Sequence, residues 1–341
     1  MSIWSGSRDQ NNNAPLLDRI VLCRNADSVG LGGGDLLFQS ALAASAHRGG
    51  GFFPIFCIVV LWRVRPFRKA AAIFLAAFLA ALIGWFWIPP SNNRNWQPDV
   101  AVLPSATLDG EMLTVRNIRN CQYRSPTDCT VSHYDKTFNL STLQGADLFI
   151  VYWGSPLIAH TIMSFCFDDN QYLAISIETR KEVGEDYSAV KGFFKQFELF
   201  YVVADERDVI RLRTNYRGET VYLYRLAAAP QIVRKVLLDY LDSINRLNDR
   251  PEWYNALTQN CTTAIRGHTA PYAHGKMSWK ITANGYLDTL LYERSAIDTT
   301  LPFEQLKAIS RINDKALAAG DSPDFSTLIR EGLPNPRVQK P

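Results

Sequence analysis

The chain has little net charge, and its cysteines show no metal-binding spacing; both absences narrow what it does. Its 36 Lys and Arg against 33 Asp and Glu leave a net charge of +3. That is too small for a nucleic-acid footprint, and the basic residues are dispersed rather than clustered among aromatics. The six cysteines stand at 23, 57, 121, 129, 166 and 261. None forms a C-x-x-C pair, and no Cys/His cluster has zinc spacing. Neither a nucleic-acid partner, a metal nor another cofactor is therefore expected. Residues 1–50 lack sustained periodicity and hold Asn11-Asn12-Asn13 and a glycine run from Gly30 to Gly34. The glycines brush a nucleotide-loop pattern, but no βαβ context follows, so the segment reads as disordered.

What the chain does have is size, apolar content and one long uncharged run. Its 341 residues suffice for one large or two ordinary domains, and 47% hydrophobic content supports a core. Ala70 to Pro90 carries no charge. About 20 apolar residues span a bilayer core as a helix, so a transmembrane helix is expected over about 70–88. Trp85 and Trp87 mark one end, where aromatic belts lie, and Arg63, Arg65, Arg68 and Lys69 crowd the other. That asymmetry places residues 1–69 in the cytosol and everything after 90 outside. A buried core helix is the alternative, which the basic flank and the Trp pair disfavour. No A-x-A signal follows the run, so it reads as a retained anchor. A second apolar run, Gly51 to Trp62, contains Pro54 and is short for a span. It reads as interfacial or as part of a longer membrane element, making 51–90 the membrane region.

Residues 91–110 read as a linker; four prolines fall between 89 and 104. One α+β domain is expected over 111–310, with 311–341 as a loose tail. Met112–Ile118 alternates as a strand, and Asp147–Trp153 is a short apolar strand turned by Gly154-Ser155-Pro156. Leu157–Phe167 and Gln171–Thr179 form a hairpin around Asp168-Asp169-Asn170. Phe197–Ala204 and Val221–Leu226 supply further strands. Pro230–Leu247 has steady helical periodicity. Cys121 and Cys129 flank a turn-like stretch and are either a disulfide of an oxidising compartment or two small buried thiols.

Two residues carry the chemistry. Cys261, after Asn260 and before Thr262-Thr263, reads as the opening of a short helix to about Gly267. Unpaired N–H groups and the dipole of a helix N-terminus both stabilise a thiolate. His160 lies on the first hairpin strand, sharing a face with Ile158, Ile162 and Ser164. A base of this kind needs a third group to orient it. Glu178 on the second strand is the candidate, with Ser176 in reserve; the competing reading pairs Glu178 with a nearby Arg. His268 and His274 are closer in sequence to Cys261 but less rigidly held, and His133 is a weaker alternative. The Cys261 N–H and the Asn260 side chain are the expected oxyanion donors. The run Asp205 to Arg217 is arginine-dense; Arg207 and Arg211 suit an anionic head group or an ion-pair network with the interleaved acids.

The stretch from Asn117 to about Pro334 resembles the Lnb N-terminal periplasmic domain family. The resemblance runs through Val151-Tyr152-Trp153-Gly154-Ser155-Pro156, Ile158-Ala159-His160-Thr161, Ser176-Ile177-Glu178-Thr179-Arg180, the Val203–Arg211 segment, and Trp253-Tyr254-Asn255 to Asn260-Cys261-Thr262-Thr263. The His-before-Cys order also resembles the permuted NlpC/papain-like thiol fold, implying an antiparallel sheet packed on helices behind the membrane helix. The resemblance implies a bacterial, inner-membrane, single-pass cysteine acyltransferase with a periplasmic catalytic domain. Cys261 would be its nucleophile and His160 its base, and phospholipid and lipoprotein its substrates. A cell-wall amidase or peptidase using the same pair, and a non-catalytic anchored binding module, are the alternatives. Shared fold does not establish shared substrate.

Overall fold

The structure, a computed structural model, describes residues 52–188, 191–256, 261–272 and 278–337. The chain divides into two compact units, Met1–Ile88 and Pro89–Pro341. The segment 1–50 lies outside the described residues. In the first unit, helices span Phe52–Arg63 and Phe67–Phe86. The second is the single helix, among the described residues, that is long and apolar enough to cross a membrane. Its 20 residues extend about 30 Å at 1.5 Å each. It begins three residues before the expected start, taking in Arg68 and Lys69. Ile73, Leu75, Phe78, Leu79, Ile83 and Phe86 along it are all exposed, a surface suited to lipid rather than water. The Gly51–Trp62 run contributes the preceding helix, too short to span alone.

The second unit is a mixed α+β domain; ten α-helices fall among the described residues of the whole chain. Its strands are β1 (Ser105–Asp109), β2 (Met112–Arg119), β3 (Gln122–Tyr123), β4 (Cys129–Thr130), β5 (His133–Asn139), β6 (Leu143–Tyr152), β7 (Ala159–Phe167), β8 (Gln171–Arg180), β9 (Glu198–Ala204) and β10 (Thr220–Arg225). The main sheet runs β1-β2-β9-β8-β7-β6-β10, with β5 paired to β2, and β3 and β4 form a separate ribbon. Neighbours are antiparallel except at β2 and β9, which meet in parallel at Arg119 and Ala204. The expected hairpin is β7–β8, with Met163 opposite Ile175.

Both faces of β7 are buried, so the sheet is a middle layer. On one face Met163, Phe165, Ile175 and Ile177 pack with Val233, Leu237, Tyr240, Leu241 and Ile244 of the Pro230–Asp249 helix. On the other, Ile162, Ala174 and Val202 pack with Val209, Ile210, Ile312, Ala316, Phe325 and Ile329. Alternation along each strand feeds both cores.

Two expectations need correction. Residues 91–110 are not a free linker: β1 begins at Ser105, and Trp96 and Val100 are buried. The Arg180 guanidinium lies 4.2 Å over the Trp96 ring and donates to the Val100 and Ala101 carbonyls. Nor is 311–341 a loose tail through its described part. Helices Asn313–Ala319 and Phe325–Leu328 close one face of the sheet, with Ile312, Ala316, Phe325 and Ile329 fully buried. Proline content at the end suggested looseness, whereas widely spaced apolar residues together with Arg330 and Arg337 hold the segment in place. Cys121 and Cys129 are both free thiols.

Candidate active site

Cys261 opens the helix Cys261–Thr269, where the sequence put it. That helix packs on the core through Ile265. His160 is the second residue of β7, opposite Val151 of β6. Thr161 follows it and points to the other face, where its hydroxyl lies 3.5 Å from that of Thr262. The Cys261 sulfur lies 4.0 Å from the Ala159 carbonyl oxygen and 3.9 Å from the Thr262 hydroxyl, with His160 and Thr161 as its electrostatic neighbours. Both Cys261 and His160 are buried, at 6% and 7% exposure, so little water competes for the pair.

On the far side of the imidazole, Nε2 lies 2.7 Å from the Ser176 hydroxyl and 3.2 Å from Glu178 Oε1. Ser176 in turn donates to Glu178 Oε1 at 2.8 Å. With Nε2 engaged there, Nδ1 is the nitrogen left for the sulfur. Arg213 donates to Glu178 Oε1 at 2.9 Å and to Glu219 Oε2 at 3.2 Å. The Trp153 ring stands edge-on to His160 at 6.3 Å.

These contacts set the charges. Burial alone would raise the Cys261 thiol; the neighbouring His160 and the Thr161 donors outweigh it and bring the value down to about 7. Burial alone would lower His160; the Glu178 carboxylate and the Cys261 sulfur outweigh that and raise it to about 9. Burial would likewise raise Glu178, yet His160 and Arg213 hold its carboxyl well below the usual range. The arrangement favours a thiolate–imidazolium pair at neutral pH, the activated form of a cysteine nucleophile.

Asn284, which sequence reading did not single out, ties the two halves together. Its Oδ1 accepts from the Ala159 amide at 2.8 Å. Its Nδ2 donates to the Ala159 carbonyl and, at 2.8 Å, to the Thr262 hydroxyl, and lies 4.0 Å from the Cys261 sulfur. One buried amide thus joins the residue before His160 to the residue after Cys261. Gly285 follows it, and a Cβ there would lie 2.1 Å from the Pro156 carbonyl oxygen. Only glycine permits that close approach, which seats the Gly154–Leu157 turn leading into β7.

The other expected residues fall as follows. Asn260 and His274 lie outside the described residues. Arg207 pairs with Asp205, the N-cap of helix Glu206–Arg211. Arg211 contacts Asp321 and Gln122. No contact among the described residues brings Arg207 or Arg211 to the Cys–His pair; Arg213, from the same run, reaches Glu178 instead. His133 is on β5 opposite Arg119. His268 lies two turns along the Cys261 helix, between Asp239 and the Tyr201 hydroxyl. No group of three or more metal-ligating side chains occurs among the described residues.

The order of these parts agrees with a comparison to protein families: residues 130–291 match the model for the Lnb N-terminal periplasmic domain. That segment is similar to the Lnb N-terminal periplasmic domain. The match takes in a little under half of the sequence and includes His160, Ser176, Glu178, Arg213, Cys261 and Asn284. The Lnb match ends before the two sheet-covering helices after Ile312. No curated protein and no solved structure matches the chain. A segment similar to the Lnb periplasmic domain, following one apolar helix of spanning length among the described residues, is consistent with a membrane-anchored periplasmic domain.

Proposed function

We propose that the chain is a membrane-anchored thiol acyltransferase whose nucleophile is Cys261. The observation that carries this reading is the buried Cys261–His160 pair, with the thiol brought to about 7 and the imidazole raised to about 9. The Cys261 thiolate attacks the carbonyl of an acyl ester, such as a phospholipid. The His160 imidazolium gives its proton to the departing alcohol oxygen, leaving an acyl-thioester and a neutral imidazole. A neutral amine, such as a lipoprotein N-terminus, then attacks the thioester. His160 takes the amine proton, the amide departs and the thiolate–imidazolium pair is restored. Glu178, held by Arg213, keeps the ring oriented through both steps.

The antiparallel β7–β8 hairpin bearing His160, with Cys261 later at a helix N-terminus, supports a permuted NlpC/papain-like arrangement. Trp153, Leu157 and Ile158, at 40%, 51% and 56% exposure, flank His160 in the chain and favour an apolar substrate over a polar wall fragment. On this reading the apolar helix is a single inner-membrane pass and the catalytic domain is periplasmic.

Mass spectrometry of the detergent-purified protein after incubation with phospholipid tests the reading, wild type beside Cys261→Ser. An acyl adduct on Cys261 that hydroxylamine releases, absent from the variant, supports acyl transfer. No adduct on a Cys261 that still reacts with a thiol probe turns the assignment to amide hydrolysis. An unreactive Cys261 removes the enzyme.

A further inference from the structure

We infer that Cys121 and Cys129 form a redox site: given a small disulfide as oxidant, they close into an intramolecular disulfide. The inference rests on the periplasmic placement for its oxidant and is otherwise independent of Cys261. The ribbon β3–β4 puts Tyr123 opposite Cys129, and Asn120 and Ser132 continue it through a backbone bond of 2.8 Å. Cys121 is two positions from Tyr123 on the same strand direction, so its side chain shares a face with Tyr123 and Cys129. All three pack in one small cluster with Leu212, Val131 and Tyr216. Both thiols therefore belong to this one cluster, with Cys121 diagonal to Cys129 across the ribbon.

The surroundings fix both members of the pair. The Cys121 amide donates to Asp208 Oδ2 at 2.7 Å, and Arg119 grips the same carboxylate through two nitrogens at 2.9 Å each. The Tyr123 hydroxyl adds a fourth donor at 3.1 Å. At the ribbon's tip Arg124 forks onto Asp128 and bonds Thr130. The ribbon is therefore held at both ends. Leu212 and Tyr216 of the cluster flank Arg213 in sequence, so the disulfide would close the ribbon that packs against the turn supplying Glu178 with its cation.

Chemistry assigns the order of events. Cys129 is half-buried and Cys121 fully buried. Cys129 loses its proton and attacks the oxidant disulfide, releasing one thiolate and leaving a mixed disulfide. Cys121 then loses its proton and attacks the Cys129 sulfur, releasing the second thiolate. Two protein thiols are oxidised and one small disulfide is reduced to two thiols, so electrons balance.

The test is peptide mapping of the reduced full chain in detergent after exposure to oxidised glutathione, with exchange quenched by acid and free thiols then alkylated in denaturant. The expected product is a peptide pair joined through Cys121 and Cys129, with no lasting glutathione on Cys129. In Cys121→Ser, Cys129 keeps the glutathione, because no resolving thiol is present. The inference is overturned if wild type accumulates the Cys129 adduct as the variant does, or if both cysteines remain alkylatable. A glutathione adduct or alkylation at Cys261 in the same map reports separately on that thiol, so the two assignments fail independently.

Discussion

Glu178 stands opposite His160 when the β7–β8 register is carried two residues past Ile162 and Ser176, and its Oε1 lies 3.2 Å from Nε2. A carboxylate at that place keeps the imidazole charged and turned toward Cys261, and Arg213 keeps the carboxylate charged. Glu178→Gln retains the shape and removes the charge. The variant should lower kcat by about 10²–10⁴-fold, the range of a general acid–base contribution. His160 should titrate lower and Cys261 higher than in wild type. A thiol alkylation profile that stays unchanged in this variant would remove Glu178 from the site.

The reactivity of Cys261 should follow pH through two inflections. The thiolate forms as pH rises through about 7, so alkylation by a neutral reagent rises there rather than near the usual value for a cysteine. The imidazolium is lost as pH rises through about 9, so acyl transfer from an ester, which needs that proton for the leaving group, should fall beyond it. His160→Ala removes the counter-ion, and the alkylation inflection should move upward. A wild-type inflection that remained near the value for free cysteine would show that the pair is not formed in solution.

Asn284 should matter as much for the pair as for the fold. Asn284→Ala strands the Ala159 amide and carbonyl and leaves the Thr262 hydroxyl without this donor. Each buried polar group left unsatisfied costs about 1–3 kcal/mol. Urea denaturation should show that loss, and Cys261 alkylation at neutral pH should slow as its helix and β7 lose their link. Asn284→Asp keeps the acceptor for the Ala159 amide but turns a buried carboxylate oxygen onto the Ala159 carbonyl and toward the Cys261 sulfur, so it should be no more stable than alanine and should raise the Cys261 inflection.

Why some of this was legible in the sequence follows from the range of each contact. Cys261 and His160 were visible because few residue types do their chemistry and their flanks betrayed a helix start and a strand. Glu178 and Ser176 were visible because a hairpin brings alternate residues together by period alone. Strands β2, β6, β7, β8, β9 and β10 and the Pro230–Asp249 helix were each marked by alternation or helical spacing. Arg213 was hidden among the arginines at 207, 211 and 217, which look alike until the chain folds. Asn284 gave no signal, since its partners at 159 and 262 become neighbours only in three dimensions. The same holds for 311–337, whose buried residues are too sparse to show a period.

Arg330 gives the sharpest test of that misread segment. Its guanidinium donates to Asp147 Oδ2 at 2.7 Å and to both Glu206 oxygens at 2.6 and 2.7 Å, and all three residues are buried. Asp147 has Arg337 and Arg225 beside it as well. Glu206 otherwise has the Ser164 hydroxyl at 2.6 Å. Arg330→Ala therefore strands Glu206 more than Asp147. Removing one partner of a buried ion pair costs about 3–5 kcal/mol, because the remaining charge stays desolvated. Chemical denaturation should show a loss of that size, although Arg330 lies outside the Lnb match. Adding Glu206→Gln to the same chain removes the stranded charge and should recover part of the loss. If the single variant is as stable as wild type, the two helices after Ile312 do not cover the sheet as described. If the double variant is no more stable than the single one, the loss comes from packing over Tyr172, which the guanidinium covers at 3.8 Å, and not from the buried charge.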